Sequence, residues 1–314
     1  MVTYPSDHRL PIEALYQSYA RLIEDAPGIQ RSAIYSQEMD LPGMGRVELP
    51  PIISLRTRAK GPALWILAGI HGEEPAGPMA IAQNIELFLN LHQQGIPFVL
   101  FPLCNPKGYI LDWRYPNMRG QQGNQGHSVG DCEHLLPDEQ DPTRPRRSGG
   151  PICPEAEALT SQVIELFAAY PPVLSIDLHE DEEEHSGPLT AYVYSQGELG
   201  AEDPIAREIV GLLRENGFPI PKEGKTRFGE SIIDGVVPPA KDGSIDELLS
   251  CSALIREGRI LKGPQAKSVL VVETPIARVP LEKRVAAHAA ILRSLPRFWS
   301  MLANAFALGL KPYS

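Results

Sequence analysis

The residues best suited to chemistry in this sequence are a histidine and a glutamate three positions apart, His71 and Glu74. They follow an apolar run, residues 63–70, that is typical of a buried β-strand, so both side chains lie on the turn that leaves the strand. Two later apolar runs also end in a polar residue, at His179 and at Glu273. Two histidines and a glutamate are a common ligand set for catalytic zinc. A catalytic zinc site is therefore the leading hypothesis.

The chemistry of such a site explains the fourth residue. Zinc held by three protein ligands lowers the pKa of water and polarises a carbonyl group. A further carboxylate must then take the proton of the water and pass it to the leaving nitrogen, and Glu273 is the candidate. Taken alone, His179 could be a hydrogen-bonded histidine and Glu273 a helix cap or an ion-pair partner. The joint order and the placement at strand ends favour the metal site, because open α/β sheets bind ligands at strand ends.

The order of these motifs resembles the zinc carboxypeptidases and the related succinylglutamate desuccinylase and aspartoacylase group. Asn105 begins the sequence Asn-Pro-Lys-Gly after an apolar run at residues 98–103, as the Asn-Pro-x-Gly of the family follows its own strand. The resemblance extends over residues 63–274, roughly two thirds of the chain. It implies one Zn²⁺ ion per chain, bound by His71, Glu74 and His179. It also implies that Glu273 is the general acid/base.

Other residues near these motifs are candidates for supporting roles. Asp177 lies two residues before His179 on the same strand face, so it is predicted to orient a ring nitrogen of that histidine, although an ordinary buried ion pair is the alternative. The oxyanion needs a donor in addition to zinc. Arg114, nine residues past Asn105, is predicted to supply it, and Arg119 is the second choice.

Substrate recognition is expected to differ from that of the family. A segment Asp-x-Asn-Arg supplies the family's Asn and Arg to the free carboxylate of the substrate, and the nearest segment here places Glu133 and His134 in those positions. An imidazole cannot replace the bidentate guanidinium fork. We therefore list Glu133 and His134 as substrate-binding candidates, together with Arg119 and Asn105. A substitute charge could come from Arg144, Arg146, Arg147 or Arg256.

The function predicted from these residues is zinc-dependent cleavage of an amide bond in a peptide or an acylated amino acid. A metallocarboxypeptidase-like peptidase with non-standard end-group recognition is slightly favoured over an N-acyl amino acid deacylase. Residues 176–179 are closer to the deacylase branch, whereas residues 113–114 are closer to the peptidase branch. An inactive zinc-binding regulatory protein is disfavoured, since a structural zinc needs four closed ligands and has no use for Glu273. The acidic run at residues 180–185 is interpreted as a solvated loop or as an electrostatic funnel for a cationic substrate.

The elements that must position these residues follow from periodicity. Apolar strands alternate with helix-like segments, which predicts an α/β fold of one domain, residues 1–314, with a mixed, mostly parallel sheet flanked by helices on both faces. A long stretch without a clear period, residues 115–154, is predicted to be loop, and Pro296 should break the last helix or start a new one. The predicted helices span residues 11–24, 78–92, 155–169, 204–216 and 281–305.

Composition narrows the class of protein. The 314 residues are 43% hydrophobic and carry a net charge of −10, which argues against a nucleic-acid or anionic-membrane surface. Neither a secretory signal nor a membrane-length apolar run is evident, so a cytoplasmic location is expected. The four cysteines are expected to be free thiols, with pairing of Cys132 and Cys153 as the alternative.

Overall fold

The computed structural model describes residues 7–41, 45–119, 126–181 and 189–307. Within these ranges the chain alternates strands and helices. The strands are β1 (Ile29–Tyr35), β2 (Glu38–Leu41), β3 (Gly45–Glu48), β4 (Ile52–Thr57), β5 (Ala63–Ala68), β6 (Phe98–Phe101), β7 (Pro172–Asp181), β8 (Tyr192–Ser195), β9 (Glu223–Lys225), β10 (Ser231–Ile233), β11 (Val236–Val237), β12 (Ala253–Arg256), β13 (Arg259–Lys262) and β14 (Ser268–Pro275). The helices are α1 (Ile12–Asp25), α2 (Ala76–Gln83), α3 (Glu86–Gln93), α4 (Pro106–Leu111), α5 (Pro154–Phe167), α6 (Pro204–Glu215), α7 (Ile245–Ser250), α8 (Leu281–Arg293) and α9 (Leu295–Ala307).

A mixed sheet forms the centre of the fold, and ten of the described strands belong to it in the order β1-β4-β6-β5-β7-β14-β8-β11-β10-β9. The four central strands, β6, β5, β7 and β14, run parallel to one another. Antiparallel pairs flank them, β4 with β6 on one side and β8 with β14 on the other. The residues of β5 and β6 are buried without exception, as expected for parallel strands that helices cover on both faces.

Helices pack on both faces of this sheet and create two hydrophobic cores. On one face α1, α2, α6, α8 and α9 surround side chains such as Leu64, Leu100 and Leu270. On the other face α5 and α7 cover side chains such as Trp65 and Phe101. The predicted architecture, an α/β fold with a mixed, mostly parallel sheet between two helical layers, is confirmed.

The register of the parallel strands brings the candidate site residues to one edge of the sheet. Leu67 of β5 lies opposite Asp177 of β7, and His179 of β7 lies opposite Glu273 of β14. The turn after β5 carries His71. Because the carboxyl ends of parallel strands meet at the same edge, the three chain segments converge there.

Two predicted helices are each divided in the structure. The segment predicted as one helix over 78–92 forms α2 and α3, and Asn84, with non-helical backbone angles of φ −126° and ψ 36°, ends the first of them. The segment over 281–305 forms α8 and α9. Pro296 is the second residue of α9, where a missing N–H costs no hydrogen bond, so the proline starts a new helix. In the described part of the predicted loop, residues 115–154, only Pro154 belongs to a helix or a sheet strand, as the first residue of α5.

The cysteines are free thiols, and the alternative of a Cys132–Cys153 disulfide is wrong. Burial raises the pKa of the Cys132 thiol well above its ordinary value, so this side chain is not a reactive thiolate. In the described ranges no helix combines the length and the apolar character that crossing a bilayer requires.

Candidate metal centre and active site

Two imidazole rings converge on one carboxylate at this edge of the sheet. Nδ1 of His71 lies 2.7 Å from Oε1 of Glu74, and Nδ1 of His179 lies 2.8 Å from Oε2 of the same carboxylate. One ligand atom from each of the three residues falls within 4.8 Å of the others. Two nitrogens and one carboxylate oxygen facing a common point are the donor set of a catalytic zinc site. The residues present therefore fit a zinc ion.

Burial and neighbouring charges set the protonation of this cluster. Burial and, secondarily, the Arg114 guanidinium lower the pKa of His71 to about 3. Burial also lowers the pKa of His179, but the carboxylates of Asp177 and Glu74 outweigh it and hold that pKa well above its ordinary value. Burial opposes ionisation of Glu74, yet the two histidines keep its pKa well below the usual range. The cluster thus holds an ionised carboxylate that attracts a cation.

Asp177 lies against the outer nitrogen of the second histidine. Its Oδ2 is 3.1 Å from Nε2 of His179, and the carboxylate is fully buried. The ring of His179 is therefore held between Asp177 on one nitrogen and Glu74 on the other. A carboxylate on the outer nitrogen fixes the orientation and tautomer of an imidazole.

The loop that carries His71 and Glu74 is fixed by two buried arginines. Arg9 donates from Nη1 to the carbonyl oxygens of Gly72, at 3.2 Å, and Tyr109, at 2.7 Å. At the start of α2, Glu180 accepts a hydrogen bond from the backbone N–H of Ala76 at 2.7 Å and pairs with Arg284. Gly72 also has to be a glycine, because a Cβ there would lie 2.0 Å from the backbone of Gly108.

Glu273 lines a cavity together with His71 and His179 of this cluster. Its Oε2 is buried and makes no hydrogen bond within the described residues. Burial raises the pKa of Glu273 well above the ordinary value, and His179 opposes that shift. A carboxyl with a raised pKa can both take and return a proton near neutral pH.

These side chains open into a cavity of about 500 Å³. Arg114 lines it, and the guanidinium Nη1 lies 3.1 Å from oxygens of both Glu73 and Glu74. Six carboxylates and three cationic side chains from Lys and Arg line the cavity, so its wall is predominantly acidic. The acidic members are Asp131, Asp177, Glu230, Asp242, Asp246 and Glu273, and the cationic members are Arg114, Arg227 and Lys241.

Residues 37–216, more than half of the chain, match the sequence model of the zinc carboxypeptidases. The chain belongs to the zinc carboxypeptidase family. The family uses zinc, so the protein is a zinc metallohydrolase, and the cluster of His71, Glu74 and His179 could hold the ion. The matched segment contains all three of these residues, whereas Glu273 lies beyond its end. No curated protein matched the chain by sequence.

Several solved structures share the fold of this chain. A candidate metallopeptidase from Shewanella amazonensis SB2B is 21% identical, with a TM-score of 0.66 over 91% of this chain and 92% of that one. Bovine thrombin-activatable fibrinolysis inhibitor, solved with tick carboxypeptidase inhibitor, is 13% identical, with a TM-score of 0.58 over 95% of this chain and 98% of that one. A metallo-carboxypeptidase from Burkholderia cenocepacia is 13% identical, with a TM-score of 0.55 over 95% and 70%, respectively. At these identities the likeness shows the fold.

Two other residues singled out in this zinc carboxypeptidase sequence lie outside the cavity lining. Asn105 caps α4, where its Oδ1 accepts from the N–H of Gly108 at 2.9 Å, and its Nδ2 donates to the carbonyl of Arg114 at 3.2 Å. Asn105 therefore supports the segment that carries Arg114. Arg119 is 80% exposed in its side chain and lies 3.9 Å from Asp112, also away from the cavity.

Glu133 and His134 follow two residues that line the cavity, Gly130 and Asp131. Among the described residues neither the Glu133 nor the His134 side chain lines the cavity. Glu133 packs against Gly243, where a Cβ would lie 2.6 Å from the Glu133 Cγ, and it accepts a hydrogen bond from Arg147 at 2.5 Å. Burial lowers the pKa of His134. Contact of Glu133 and His134 with substrate stays a prediction, and their position does not favour it.

The arginines considered as substitute charges are mostly engaged elsewhere. Arg147 also pairs with Asp131, and Arg146 pairs with Glu247. Arg144 is 80% exposed and lies 3.2 Å from Asp141. None of these three arginines, nor Arg256, appears in the cavity wall that the described residues form.

The cavity also contains residues that the sequence did not reveal. Arg227 and Phe228, on the turn between β9 and β10, and Asp246 at the start of α7 contribute to its wall. A strand as short as β9, with three exposed residues, has no hydrophobic alternation that could identify it. The acidic run at residues 180–185 differs from the prediction as well, because Glu180 and Asp181 are buried; its other members, residues 182–185, lie outside the described residues.

Proposed function

We propose that the protein hydrolyses an amide bond with a zinc ion held by His71, Glu74 and His179. The observation that carries this proposal is the convergence of two Nδ1 atoms on the Glu74 carboxylate, beside an unpartnered buried oxygen of Glu273. A structural zinc site would be closed by a fourth ligand, whereas this cluster opens into a cavity. An open position is where a water and a substrate carbonyl can approach.

The roles of the protein groups follow from their chemistry. Zinc, when bound, lowers the pKa of water and polarises the scissile carbonyl. Glu273 takes the proton from the attacking water and returns it to the leaving nitrogen, for which its raised pKa suits it. Arg114 donates a hydrogen bond to the oxyanion from the cavity wall. Asp177 orients the ring of His179 through its outer nitrogen.

The substrate that this arrangement favours is a peptide or an acylated amino acid. We infer a metallocarboxypeptidase-like peptidase with non-standard end-group recognition, because Glu133 and His134 stand in the positions of the family's Asn and Arg. Among the described residues neither of these side chains lines the cavity. The deacylase alternative is supported by the sequence Asp-Leu-His at residues 177–179. The two activities differ in the acyl half of the substrate, a peptide in one case and a simple acid in the other.

The decisive experiment combines metal analysis with hydrolysis. The zinc-loaded protein is incubated with blocked dipeptides and with N-acetyl, N-succinyl and N-benzoyl amino acids, and the released amine is measured. We expect zinc-dependent release that a chelator abolishes and added zinc restores. The same assay on Glu273→Gln identifies hydrolysis by a contaminating enzyme, which would persist in that variant. Failure of the zinc-loaded protein to release amine from any member would contradict the proposed function.

A further inference from the structure

Among the described residues the cavity wall contains three cationic side chains from Lys and Arg, and each lies beside a carboxylate. Arg114 donates from Nη1 to Glu74 at 3.1 Å. Nζ of Lys241 lies 2.9 Å from Glu139, and the Lys241 side chain is 66% exposed, which places it at the rim. The third cation is Arg227, on the turn between β9 and β10.

The Arg227 guanidinium keeps most of its donor capacity. Its Nη1 lies 3.3 Å from Oδ1 of Asp181, but that oxygen has no hydrogen-bond partner, so the contact is purely electrostatic. Its Cζ lies 4.8 Å from the centre of the Phe228 ring, which steadies the guanidinium plane. Over the ranges that the structure describes, the guanidinium donates no hydrogen bond.

One of the two carboxylate oxygens of Asp181 is satisfied by a group other than Arg227. Its Oδ2 accepts a hydrogen bond from the hydroxyl of Tyr192 at 2.5 Å, and the residue is 4% exposed. A guanidinium presents five N–H donors in a planar fork that matches a carboxylate. The pairing with Asp181 therefore holds Arg227 in the cavity while leaving its fork available to a second carboxylate.

We propose that Arg227 binds a carboxylate group of the substrate in the cavity that also contains Glu273. This inference rests on the proposed function and assigns a specificity-determining residue, on an element other than the segment that carries Glu133 and His134. It also accounts for the absence of Glu133 and His134 from the described cavity lining, since the carboxylate is then recognised by a residue on the turn between β9 and β10. The carboxylate could belong to the acyl half or to the amine half of the amide, as in an N-succinyl compound or in a peptide with a free C-terminus.

Two matched pairs of compounds test the proposal and distinguish these sources. The first pair is N-succinyl-phenylalanine amide and its succinamoyl analogue, and the second is benzoyl-glycyl-phenylalanine and its C-terminal amide. For the pair that carries the recognised carboxylate, we expect Arg227→Gln to lower kcat/KM of the acid about tenfold to a hundredfold, mainly through KM. The amide partner should change less than about threefold, and Arg227→Lys should be intermediate because an ammonium lacks the fork.

Arg144→Gln is the matched control, because it removes an exposed arginine outside the cavity wall. The double variant Arg227→Gln with Asp181→Asn addresses the alternative that Arg227 only neutralises Asp181. In that case the double variant would regain the lost activity, and the proposal would be wrong. Equal losses for the acid and the amide of both pairs would also overturn it. Thermal unfolding of each variant confirms that the fold is retained.

Binding measurements separate failure of this inference from failure of the proposed function. If the zinc-loaded protein cleaves none of the four compounds, the dissociation constant of each is measured by calorimetry in the wild type and in Arg227→Gln. If the wild type binds one acid more tightly than its amide and Arg227→Gln binds the two equally, the proposal is supported even without catalysis. A wild type that binds acid and amide equally in both pairs would refute it.

Discussion

Glu273 of β14 lies directly opposite His179 of β7 in the parallel pairing of these two strands. One strand therefore ends in a candidate metal ligand and its neighbour ends in the candidate general acid/base. The relation between the two side chains is set by backbone hydrogen bonds of the sheet, which are far more rigid than a loop. A site on such a scaffold can hold its groups in the geometry that catalysis requires.

The first prediction concerns the metal. His71→Ala and His179→Ala should each lose most of the zinc while the fold persists, because each removes one of three ligands from a site that few other contacts depend on. The zinc content per chain is measured by inductively coupled plasma mass spectrometry, and retention of the fold is checked by circular dichroism. His92→Ala, on α3, is the control and should retain one ion per chain. Stoichiometric zinc in both site variants would rule out this ligand set.

The second prediction concerns proton transfer. Glu273→Gln should retain zinc and substrate affinity but lower kcat by at least about a hundredfold, the usual contribution of a general acid/base. Glutamine keeps the shape of the side chain and removes the titrating oxygen. The exposed Glu215→Gln on α6 serves as the control. Loss of zinc in Glu273→Gln would make this residue a ligand instead, and an unchanged kcat would assign the proton to another group.

The third prediction compares the two arginines considered for the oxyanion. Arg114 lines the cavity, whereas Arg119 is 80% exposed and lies outside its wall. Arg114→Gln should therefore lower kcat about a hundredfold to a thousandfold, as removal of an oxyanion donor does elsewhere. Arg119→Gln should change kcat less than about threefold. Steady-state kinetics at matched zinc content measures both, and a larger effect at Arg119 would reverse the assignment.

The candidate site residues that could be predicted from the sequence are those at or just after the ends of strands. His179 and Glu273 end long apolar runs, so their convergence required only that the strands be parallel neighbours. The Glu133 and His134 assignment depended on an alignment across a long loop, and a loop has no periodicity that fixes the position of its residues in space. Arg227 was missed for the same reason, since it lies on a turn between two three-residue strands.

The buried polar contacts that support the site could not be predicted from the sequence either. Arg9 is 63 positions from Gly72, whose carbonyl it binds, and Arg284 is 104 positions from its partner Glu180. No local pattern indicates which of many arginines will be buried, because most arginines in proteins remain exposed. The helix boundary at Pro296 was partly visible, since proline limits where a helix can continue, whereas the boundary at Asn84 was not predicted.

The last prediction concerns acid stability and a histidine outside the metal cluster. His288 on α8 is fully buried, with Nε2 at 3.2 Å from Oγ1 of Thr274, while its Nδ1 makes no hydrogen bond among the described residues. Burial, and then the charge of Arg284, lowers the pKa of His288 to about 3. In the unfolded chain a histidine has a pKa of about 6.5.

Below pH 6.5 the unfolded state therefore binds a proton at His288 that the folded state excludes, so the contribution of His288 to the free energy of unfolding falls as the pH is lowered from about 6.5 toward about 3. This one group contributes a slope of at most about 1.4 kcal/mol per pH unit. His288→Gln, which keeps a polar side chain but does not titrate, should show a shallower decline. Urea unfolding of both proteins with chelator present, at several pH values from 4 to about 7, measures the difference without the contribution of zinc release. Identical pH slopes in the wild type and His288→Gln would show that His288 does not limit stability in acid.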